Sequence, residues 1–304
     1  MDLKMRCIYD METEDPDDAL TLCLLAGHPK VNLIGVNVTP GTPHQIGVVR
    51  HLLNLLDRSD IEVGAYDIKH KKHKGTSQEA YVTCVSDWHY RTFGKIEPSV
   101  DCIRSVDVLW NLYKEDVTLI TGASLKSLGK FLPLIDNVEL KLGRLFVQGG
   151  FAGEGVVPAD KQLNKFKGMR LCPTYNLNGD PKSALAVIAS DRFKEKRFIS
   201  KNVCHGVVYD QKMHDYVKSV SNPHPGLKMV IKGMESYLAR RPEGKKFHDP
   251  LAAMCALNPE IGTWAEVDLY RENGMWGSKL SSGSGSQIIV DYNHDLFLKT
   301  MCAL

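Results

Sequence analysis

Several features that would assign a protein class at once are missing from this chain of 304 residues. None of the eight cysteines stands in a Cys-x-x-Cys pair, which excludes a zinc ribbon or a thioredoxin-like redox motif. A formal net charge of only +2 indicates no polyanionic partner. The sequence has no apolar run of bilayer-spanning length and no apolar signal-peptide core, so it predicts neither membrane insertion nor secretion. We therefore expect a cytoplasmic protein with reduced thiols.

One short basic segment, residues 69–74, is the exception to this balanced charge. Runs of this length usually form solvated surface loops, so we expect no nucleic-acid partner. The chain also lacks internal repeats, and its one low-complexity segment, residues 281–286, lies too near the C-terminus to divide domains. That segment predicts a hairpin loop between Trp276 and residues 288–290, and the whole chain, residues 1–304, is predicted to form a single domain.

The most informative feature present is an acidic segment, residues 10–18, in which six of nine side chains are carboxylates. Carboxylates packed this closely repel one another, and near a protein interior they need a neutralising cation. Because the segment contains no thiol or imidazole, its oxygen ligands favour calcium or magnesium over zinc or copper. The alternative is a solvated acidic turn that caps the next helix. The flanking residues distinguish these two interpretations.

The flanking pattern is that of a βαβ unit. Residues 5–9 predict a strand, residues 19–26 an apolar helix, and residues 31–38 a second strand. Two strands joined through a helix lie parallel, with a right-handed crossover. Ligands of such sheets bind beyond the carboxyl ends of the strands, and the acidic segment leaves the first strand at that end. This position favours a binding site over a simple helix cap.

The alternation of strands and helices continues along the chain. Further strands are predicted at residues 117–121, 144–148 and 204–209, and helices at residues 102–113 and 181–189. The pattern predicts an α/β fold, with an open and mostly parallel sheet that is flanked by helices and carries helical and hairpin additions.

Three further polar segments occur where strands end or helices begin, at residues 121–128, 174–181 and 247–254. Taken singly, Asp249 is explained as a helix cap and His248 as a satisfied histidine. An open α/β sheet would nevertheless gather all three segments beside the acidic one. We therefore interpret the four segments as parts of one site.

Together these segments resemble the inosine-uridine-preferring nucleoside hydrolase family over nearly the whole chain. The family opens with an aspartate-rich loop of the type DxDPGxDDA, to which Asp10-Met11-Glu12 and Asp17-Asp18-Ala19 are similar. Its HDP motif is matched by residues 248–250. Supporting similarity lies at residues 36–42, 122–126 and 147–150. The resemblance implies a nucleoside hydrolase-like fold and calcium-dependent cleavage of the N-glycosidic bond of nucleosides.

The resemblance also implies roles for the acidic side chains. Glu12 is matched to the general base, which also binds calcium, and Asp17 is matched to the residue that binds the sugar hydroxyls. The other calcium ligands are implied to be Asp18, Asp249 and a backbone carbonyl of Leu125 or Lys126.

The interior of the acidic loop departs from the family pattern. Residues 13–16 stand where the family has Pro-Gly and one more residue, so the loop is one residue longer. Asp10 is matched to the supporting carboxylate of the loop. Because of the extra residue, Asp10 and Glu12 can exchange roles, and Asp15 can also reach the metal.

Two histidines are candidates for protonating the leaving base. His248 adjoins the calcium ligand Asp249, and His89 falls where pyrimidine-preferring members have an active-site histidine. Imidazole titrates near neutrality, which suits this task. Thr42 replaces the family's asparagine after the second strand and is a candidate substrate contact. The sequence does not identify the preferred base.

The largest departure from the family concerns the contacts to the sugar 5′-hydroxyl. The family uses an asparagine, replaced here by Val156, and a Glu-Phe-Asn triplet, replaced here by Thr174-Tyr175-Asn176. The segment between them has grown and contains four cations, among them Lys165 and Arg170. Loss of an anion together with gain of cations is what a 5′-phosphate requires. We therefore expect the triplet and these cations to bind a 5′-phosphate or another enlarged 5′-group; the alternative is an exposed basic lid.

The sequence thus predicts calcium-dependent hydrolysis of the N-glycosidic bond of a ribonucleoside, unmodified or 5′-phosphorylated, with release of base and sugar. Two alternatives remain open. A homologue that binds calcium and a ligand without catalysis would release no ribose. A glycosyl transferase would use the same residues but pass the sugar to an acceptor other than water. A small-molecule substrate is the expected partner, and homo-oligomers are common in the family.

Overall fold

The computed structural model describes residues 3–67, 84–114, 116–139 and 141–304, so the basic segment at residues 69–74 lies outside the described residues. The strands are β1 (Met5–Met11), β2 (Val31–Val38), β3 (Glu62–Ala65), β4 (Ile103–Arg104), β5 (Val117–Thr121), β6 (Leu142–Gln148), β7 (Phe193–Ile199), β8 (Val208–Tyr209), β9 (Lys245–Lys246), β10 (Gly262–Glu272), β11 (Met275–Leu280) and β12 (Ser286–Tyr292). The α-helices are α1 (Pro16–Gly27), α2 (Pro43–Leu55), α3 (Asp87–Phe93), α4 (Ser105–Leu109), α5 (Lys126–Phe131), α6 (Tyr175–Gly179), α7 (Pro181–Ala189), α8 (Lys201–Cys204), α9 (Gln211–Lys218), α10 (Pro225–Leu238), α11 (His248–Leu257) and α12 (His294–Cys302). Short 3₁₀ turns span Trp110–Tyr113, Leu132–Ile135, Asn164–Phe166 and Pro259–Ile261. Within this described part of the chain, no helix combines the length and the apolar character needed to cross a membrane.

Ten of these strands form one sheet in the order β11-β10-β12-β7-β6-β5-β1-β2-β3-β4. The strands from β12 to β4 in this order pair in parallel, whereas β10 pairs antiparallel with both β11 and β12. The short strands β8 and β9 form a separate antiparallel pair. The predicted open and mostly parallel sheet is confirmed.

The acidic segment lies where the strand order reverses. From β1 the chain builds outward through β2, β3 and β4, and it then returns to the other side of β1 to add β5, β6 and β7. A crevice for ligands forms at such a reversal, beyond the carboxyl ends of the two central strands. Asp10 pairs with Thr121 at the end of β5, so the acidic segment opens directly into that crevice.

Both faces of the sheet are covered, as the alternation along β1 shows. Cys7, Tyr9 and Met11 join one buried apolar cluster, and Ile8 joins a second. Successive side chains of a strand point to opposite faces, so the two clusters lie on opposite sides of β1. The sequence of a strand that is buried on both faces is a nearly continuous run of apolar residues. Such strands are typical of parallel sheets.

Helix α1 carries the second half of the acidic segment. Pro16 occupies its first turn, where the missing N–H is not needed, and Asp17 and Asp18 follow in the same turn, where the positive end of the helix dipole favours them. Every residue from Pro16 to Ala26 is buried, and α1 packs against both α10 and α11. This packing fixes the first turn of α1 relative to α11, which carries the HDP motif.

The predicted strand at residues 204–209 is wrong. That segment contains the end of α8, a turn and the two-residue strand β8, while the sheet strand in this part of the chain is β7. The sequence pattern did not predict β7, because four of the seven residues in this strand are charged. One of them, Lys196, is buried, and its ammonium donates to the carbonyls of Ile188 and Ser190 at 2.5 and 2.6 Å. Backbone acceptors thus make a lysine tolerable at a position where sequence patterns predict an apolar residue.

The prediction of a hairpin loop at residues 281–286 is wrong. This low-complexity segment joins β11 to β12, and these strands lie on either side of β10 without pairing to each other. The hairpin is formed by β10 and β11 around Asn273 and Gly274, which both have positive φ. An Asn-Gly pair favours this type of two-residue turn, so the sequence did contain the signal.

Candidate active site

The acidic segment leaves β1 as a loop whose two ends contact each other. The backbone N–H of Glu12 donates to Oδ1 of Asp18 at 3.2 Å. Inside the loop, Thr13 is fully buried, and its hydroxyl donates to the carbonyl of Cys84 at 2.6 Å. The longer loop is therefore held against the segment that carries Cys84.

A lysine that the sequence analysis did not single out neutralises part of the loop. Lys245 in β9 is buried, and its Nζ lies 2.9 Å from Oδ1 of Asp15 and 3.1 Å from Oδ1 of Asp17. Asp17 also accepts from the backbone N–H groups of His248 at 3.0 Å and Asp249 at 3.2 Å. Burial acts to raise the pKa of Asp17, but the Lys245 ammonium and these partners outweigh it and hold the pKa below its usual value. Asp17 is thus an ionised carboxylate whose partner is a protein cation.

Asp18 and Asp249 form a second pair of carboxyls that no protein cation neutralises among the described residues. Both side chains are buried and hydrogen-bond to each other. Burial, followed by the charge of neighbouring carboxylates, raises both pKa values well above the usual range. The hydroxyl of Tyr9 donates to Oδ2 of Asp249 at 2.9 Å. This pair is the part of the site that most needs an added cation.

The backbone at Gly122 makes room for the Asp249 carboxylate. A Cβ at this position would lie only 2.1 Å from Oδ2 of Asp249, so the close approach requires glycine. The N–H of Gly122 donates to the carbonyl of Asp10 at 2.8 Å, and its carbonyl accepts from Nδ2 of Asn176 at 2.9 Å. The ends of β1 and β5 and the start of α6 are thereby joined around Asp249.

Glu12 and Asp10 differ in what they face. Asp10 is 1% exposed, and its Oδ1 has no hydrogen-bond partner among the described residues. Glu12 is half-buried and lines the cavity. Burial raises the pKa of Glu12 to about 7, against a hydrogen bond from the Ser124 backbone and the charge of Lys126, which lower it. Of these two carboxylates, Glu12 is therefore the one positioned to contact a ligand.

The cavity has two adjoining lobes. The acidic lobe has a volume of about 410 Å³ and is lined among others by Asp17, Asp18, His248 and Asp249. The outer lobe has a volume of about 630 Å³ and is lined among others by Pro40, Lys126, Thr174 and Lys201. Glu12 and Tyr175 line both lobes. Volumes of this order accommodate a small-molecule ligand.

The two residues matched to the family's 5′-hydroxyl contacts, Asn176 and Thr174, differ in their hydrogen-bond partners. Nδ2 of Asn176 donates to Oε1 and to the carbonyl of Gln148, at 2.7 and 3.0 Å, and Asn176 lines the acidic lobe. Thr174 is only 4% exposed and lines the outer lobe, and its hydroxyl has no partner among the described residues. Asn176 is therefore fixed by the protein, whereas the buried Thr174 hydroxyl is left without a described hydrogen-bond partner.

Comparison with known proteins identifies the family of this chain. The sequence profile of the family described as inosine-uridine preferring nucleoside hydrolase matches residues 7–299. The chain belongs to this family. It is an N-ribohydrolase, and nucleosides are the small molecules on which the family acts. The predicted family and enzyme class are confirmed.

Individual relatives are distant but similar along most of their length. The chain is 26% identical to a protein of Aquifex aeolicus (strain VF5) over 94% of each sequence. It is 24% identical to the pyrimidine-specific ribonucleoside hydrolase RihA of Shewanella sp. (strain MR-4), over 84% of this chain and 80% of that protein. The structure of a purine-preferring ribonucleoside hydrolase from Gardnerella vaginalis superposes with a TM-score of 0.66, over 98% of both chains at 17% identity. The structural likeness confirms the predicted nucleoside hydrolase-like fold.

In this nucleoside hydrolase, five of the predicted site residues line neither lobe. Two of them are Asp10, which is buried, and Lys165, which is exposed. His89 is fully buried in α3, with Nδ1 3.1 Å from the carbonyl of Ser86. Thr42 caps α2, and its hydroxyl accepts from the backbone N–H of Gln45 at 3.2 Å. Arg170 is exposed and lines neither lobe. Helix capping accounts for Thr42, and core packing accounts for the position of His89.

The carboxylates present fit a hard cation such as the family's calcium. Asp18, Asp249 and Glu12 offer an oxygen-only donor set, and the first two are buried without a protein cation among the described residues. Of the candidate carbonyls, that of Leu125 accepts from the N–H of Gly129 at 2.8 Å. Lys126 begins α5 and its side chain lines the outer lobe. Ligation by either carbonyl stays a prediction.

A second group of ligand-type side chains lies beside the acidic lobe. Atoms of Cys204, His205 and His248 fall within 4.8 Å of one another. Burial raises the pKa of the Cys204 thiol to about 12, so a metal would have to displace its proton. The ammonium of Lys165 already donates to Nδ1 of His205 at 2.6 Å. These surroundings disfavour a metal cation at this group.

Sequence reasoning missed Tyr9, Gln148 and Lys245 as parts of the site. The resemblance matches residues 147–150 to a family strand that ends in Met-Gly-Gly, so Gln148 stands in the place of the methionine. Lys245 lies three residues before the HDP motif. A polar residue in place of an apolar motif residue is a signal that the sequence did contain. No such signal marks Tyr9, because a tyrosine in a strand is ordinary.

Proposed function

We propose that this nucleoside hydrolase cleaves the N-glycosidic bond of its substrate in a calcium-dependent reaction. The observation that carries the proposal is that carboxylates from three elements line one lobe: Glu12 from the β1–α1 loop, Asp17 and Asp18 from α1, and Asp249 from α11. Family membership supports the reaction, and the oxygen-only donor set supports calcium.

Glu12 is proposed as the general base. In the calcium-free protein, burial raises the pKa of its carboxylate to about 7, so this carboxylate is more basic than that of an exposed glutamate. Asp18 and Asp249 are proposed to hold calcium, which when bound would make a water molecule more acidic. Asp10, buried outside the cavity, is proposed to support the loop that carries Glu12.

Asp17 is proposed to bind the vicinal hydroxyls of the sugar. It stays ionised because Lys245 and two backbone N–H groups stabilise its charge, and an ionised carboxylate accepts hydrogen bonds strongly. Asn176 and Thr174 are proposed to contact the 5′ end of the sugar, since they lie on the walls of the two lobes.

His248 and Tyr175 are proposed to serve the departing base. Burial lowers the pKa of His248 to about 4, so its ring is neutral at neutral pH and acts as a hydrogen-bond donor and not as a strong acid. Tyr175 is 75% exposed where the two lobes meet, and its ring offers a surface on which a base can stack.

A ribose-release assay tests this proposal. Purine and pyrimidine ribonucleosides and their 5′-monophosphates are incubated with calcium, with a chelator, and with calcium restored. We expect equal amounts of base and sugar with calcium, a loss of at least about 100-fold in rate with chelator, and full recovery. Activity that survives chelation would contradict calcium dependence. No release from any substrate would favour the ligand-binding alternative, and a sugar adduct formed with an added acceptor would favour the transferase.

A further inference from the structure

A group of cations without carboxylate partners borders the proposed sugar site. Lys165, Lys201 and Lys246 form no ion pair with any described carboxylate. Lys165 donates to Nδ1 of His205 at 2.6 Å, and Lys201 donates to the carbonyl of Pro173 at 2.8 Å. After burial, the charges of Lys246 and Lys201 lower the pKa of Lys165, as expected if both ammonium groups lie near that of Lys165. We name Lys165, Lys201, Lys246 and His205 the basic rim.

Only one member of the basic rim belongs to the enlarged segment from which a phosphate contact was predicted. Lys161 of that segment pairs with Asp291 at 2.8 Å, and Arg170 is exposed and lines neither lobe. Lys201 begins α8, and Lys246 belongs to β9. The cations therefore come together from three separate parts of the chain.

The basic rim adjoins the cavity through Lys201 and His205, whereas Lys165 and Lys246 line neither lobe. The ring of His205 stacks on that of His248, with centroids 4.8 Å apart and planes 15° from parallel, and His248 lines the acidic lobe. Lys201 lines the outer lobe together with Thr174. A group bound at the rim would therefore lie within reach of the residues matched to the sugar's 5′ end.

The cavity wall next to the rim offers polar groups that the described protein leaves unused. The hydroxyl of Thr174 and Nε2 of His248 are both buried without a hydrogen-bond partner among the described residues. Each ammonium can donate three hydrogen bonds, and Lys201 has one described acceptor. Buried polar groups without partners are unfavourable unless a ligand satisfies them, and a phosphate supplies oxygens that only accept.

We propose that the basic rim binds the phosphate of a nucleoside 5′-monophosphate. This inference rests on the function proposed above, because that function places the sugar between Asp17 and Thr174. A neutral 5′-hydroxyl needs no cation, whereas a phosphate dianion pairs favourably with several. The carboxylate that the family carries in place of Thr174 would repel a phosphate, and its absence here removes that repulsion.

The reaction of such a substrate yields ribose 5-phosphate and a free base. The oxygen of water bonds to C1′, and the bond from C1′ to the base nitrogen breaks with its electron pair on the base. One proton of the water goes to Glu12, which releases it to solvent, and the leaving nitrogen of the base takes one proton from solvent, so the net reaction consumes one water molecule. The phosphate takes no part in the bond changes, so the rim contributes binding and orientation alone.

Matched substrate pairs test the inference through activity. We expect wild-type kcat/KM to be at least about tenfold higher for uridine 5′-monophosphate than for uridine, and for inosine 5′-monophosphate than for inosine. The double variant Lys165→Met/Lys246→Met removes two exposed charges. It is expected to lower kcat/KM for the monophosphates at least about tenfold and for the nucleosides less than about threefold. Lys228→Met, an exposed lysine of α10, is the matched control and should change neither value.

Faster cleavage of the unphosphorylated partner by the wild type would overturn the inference. An equal loss for both substrate types in the double variant would also overturn it, because it would indicate a general structural effect.

Calorimetry with ribose 5-phosphate, ribose and inorganic phosphate separates this inference from the proposed function, because it needs no catalysis. With calcium present, ribose 5-phosphate is expected to bind at least about tenfold more tightly than either other probe, and the double variant should lose this advantage over ribose. If no substrate is hydrolysed while this advantage is observed, the proposed function fails and the phosphate subsite stands. Equal binding of ribose and ribose 5-phosphate, or equally tight binding of inorganic phosphate alone, would overturn the inference.

Discussion

The acidic lobe and the basic rim are neighbours of opposite charge and opposite burial. Asp17, Asp18 and Asp249 are 3–5% exposed, whereas Lys165 and Lys246 are exposed. Buried carboxylates depend on a neutralising partner at all times, while exposed ammonium groups are solvated without one. The acidic lobe is therefore linked to the stability of the fold, and the basic rim is free to respond to a ligand.

Within the acidic lobe itself, two kinds of partner neutralise charge. Asp17 has a permanent partner in Lys245, at 3.1 Å. Asp18 and Asp249 have each other as partners, and burial raises the pKa of both carboxyls. Asp17 thus has its cation within the protein, whereas Asp18 and Asp249 have none among the described residues.

The largest effect on catalysis is expected from substitution of Glu12, the proposed general base in the acidic lobe. Glu12→Gln should lower kcat about 10²–10⁴-fold, because an amide cannot take the proton of water. Glu14→Gln is the matched control, since Glu14 is exposed and lines the same cavity; its kcat should stay within about threefold of the wild type. Steady-state kinetics with one good substrate compares the two. Full activity in Glu12→Gln would exclude Glu12 as the base and direct attention to Asp10.

The next largest effect is expected on the free energy of unfolding, where the buried Lys245 is compared with the exposed Lys246. Lys245→Met leaves Asp17 buried without its cation and should lower the free energy of unfolding by about 3–5 kcal/mol in calcium-free buffer. Lys246→Met removes an exposed charge and should change it by less than about 0.5 kcal/mol. Urea unfolding measures both values. Similar changes in the free energy of unfolding for the two substitutions would contradict the conclusion that the acidic lobe, but not the basic rim, contributes to the stability of the fold.

The smallest expected effect is that the increase in Tm on adding calcium depends on pH. Burial raises the pKa of Glu12 from 4.5 to about 7. The calcium-free folded protein therefore holds a proton that the unfolded chain loses above about pH 4.5, and this stabilisation disappears as the pH rises through about 7. Calcium competes with that proton, so the gain in Tm on adding calcium should be a few degrees larger at about pH 7.5 than at about pH 5.5. Thermal unfolding measures it, and an equal gain at both pH values would argue against calcium binding at Glu12.

The parts of the fold that follow local patterns were predictable. The strands at residues 31–38 and 117–121 and the helix at residues 181–189 have the predicted bounds, because apolar runs or a helix-starting proline mark them. β7 was missed because its charged residues are accommodated by backbone acceptors from elsewhere in the chain. The cytoplasmic location, the single domain and any homo-oligomer stay predictions.

For the site, the sequence by itself determined the acidic segment, its position after the first strand, and the HDP motif that completes it. These features are visible because each lies within a few consecutive residues, where spacing alone sets the geometry. Only the tertiary structure decided that Lys245 neutralises Asp17, and that Lys165, Lys201 and Lys246 gather beside the cavity. The physical reason is that electrostatic partners are chosen by distance in space, and sequence separation says little about that distance once a sheet brings remote segments together.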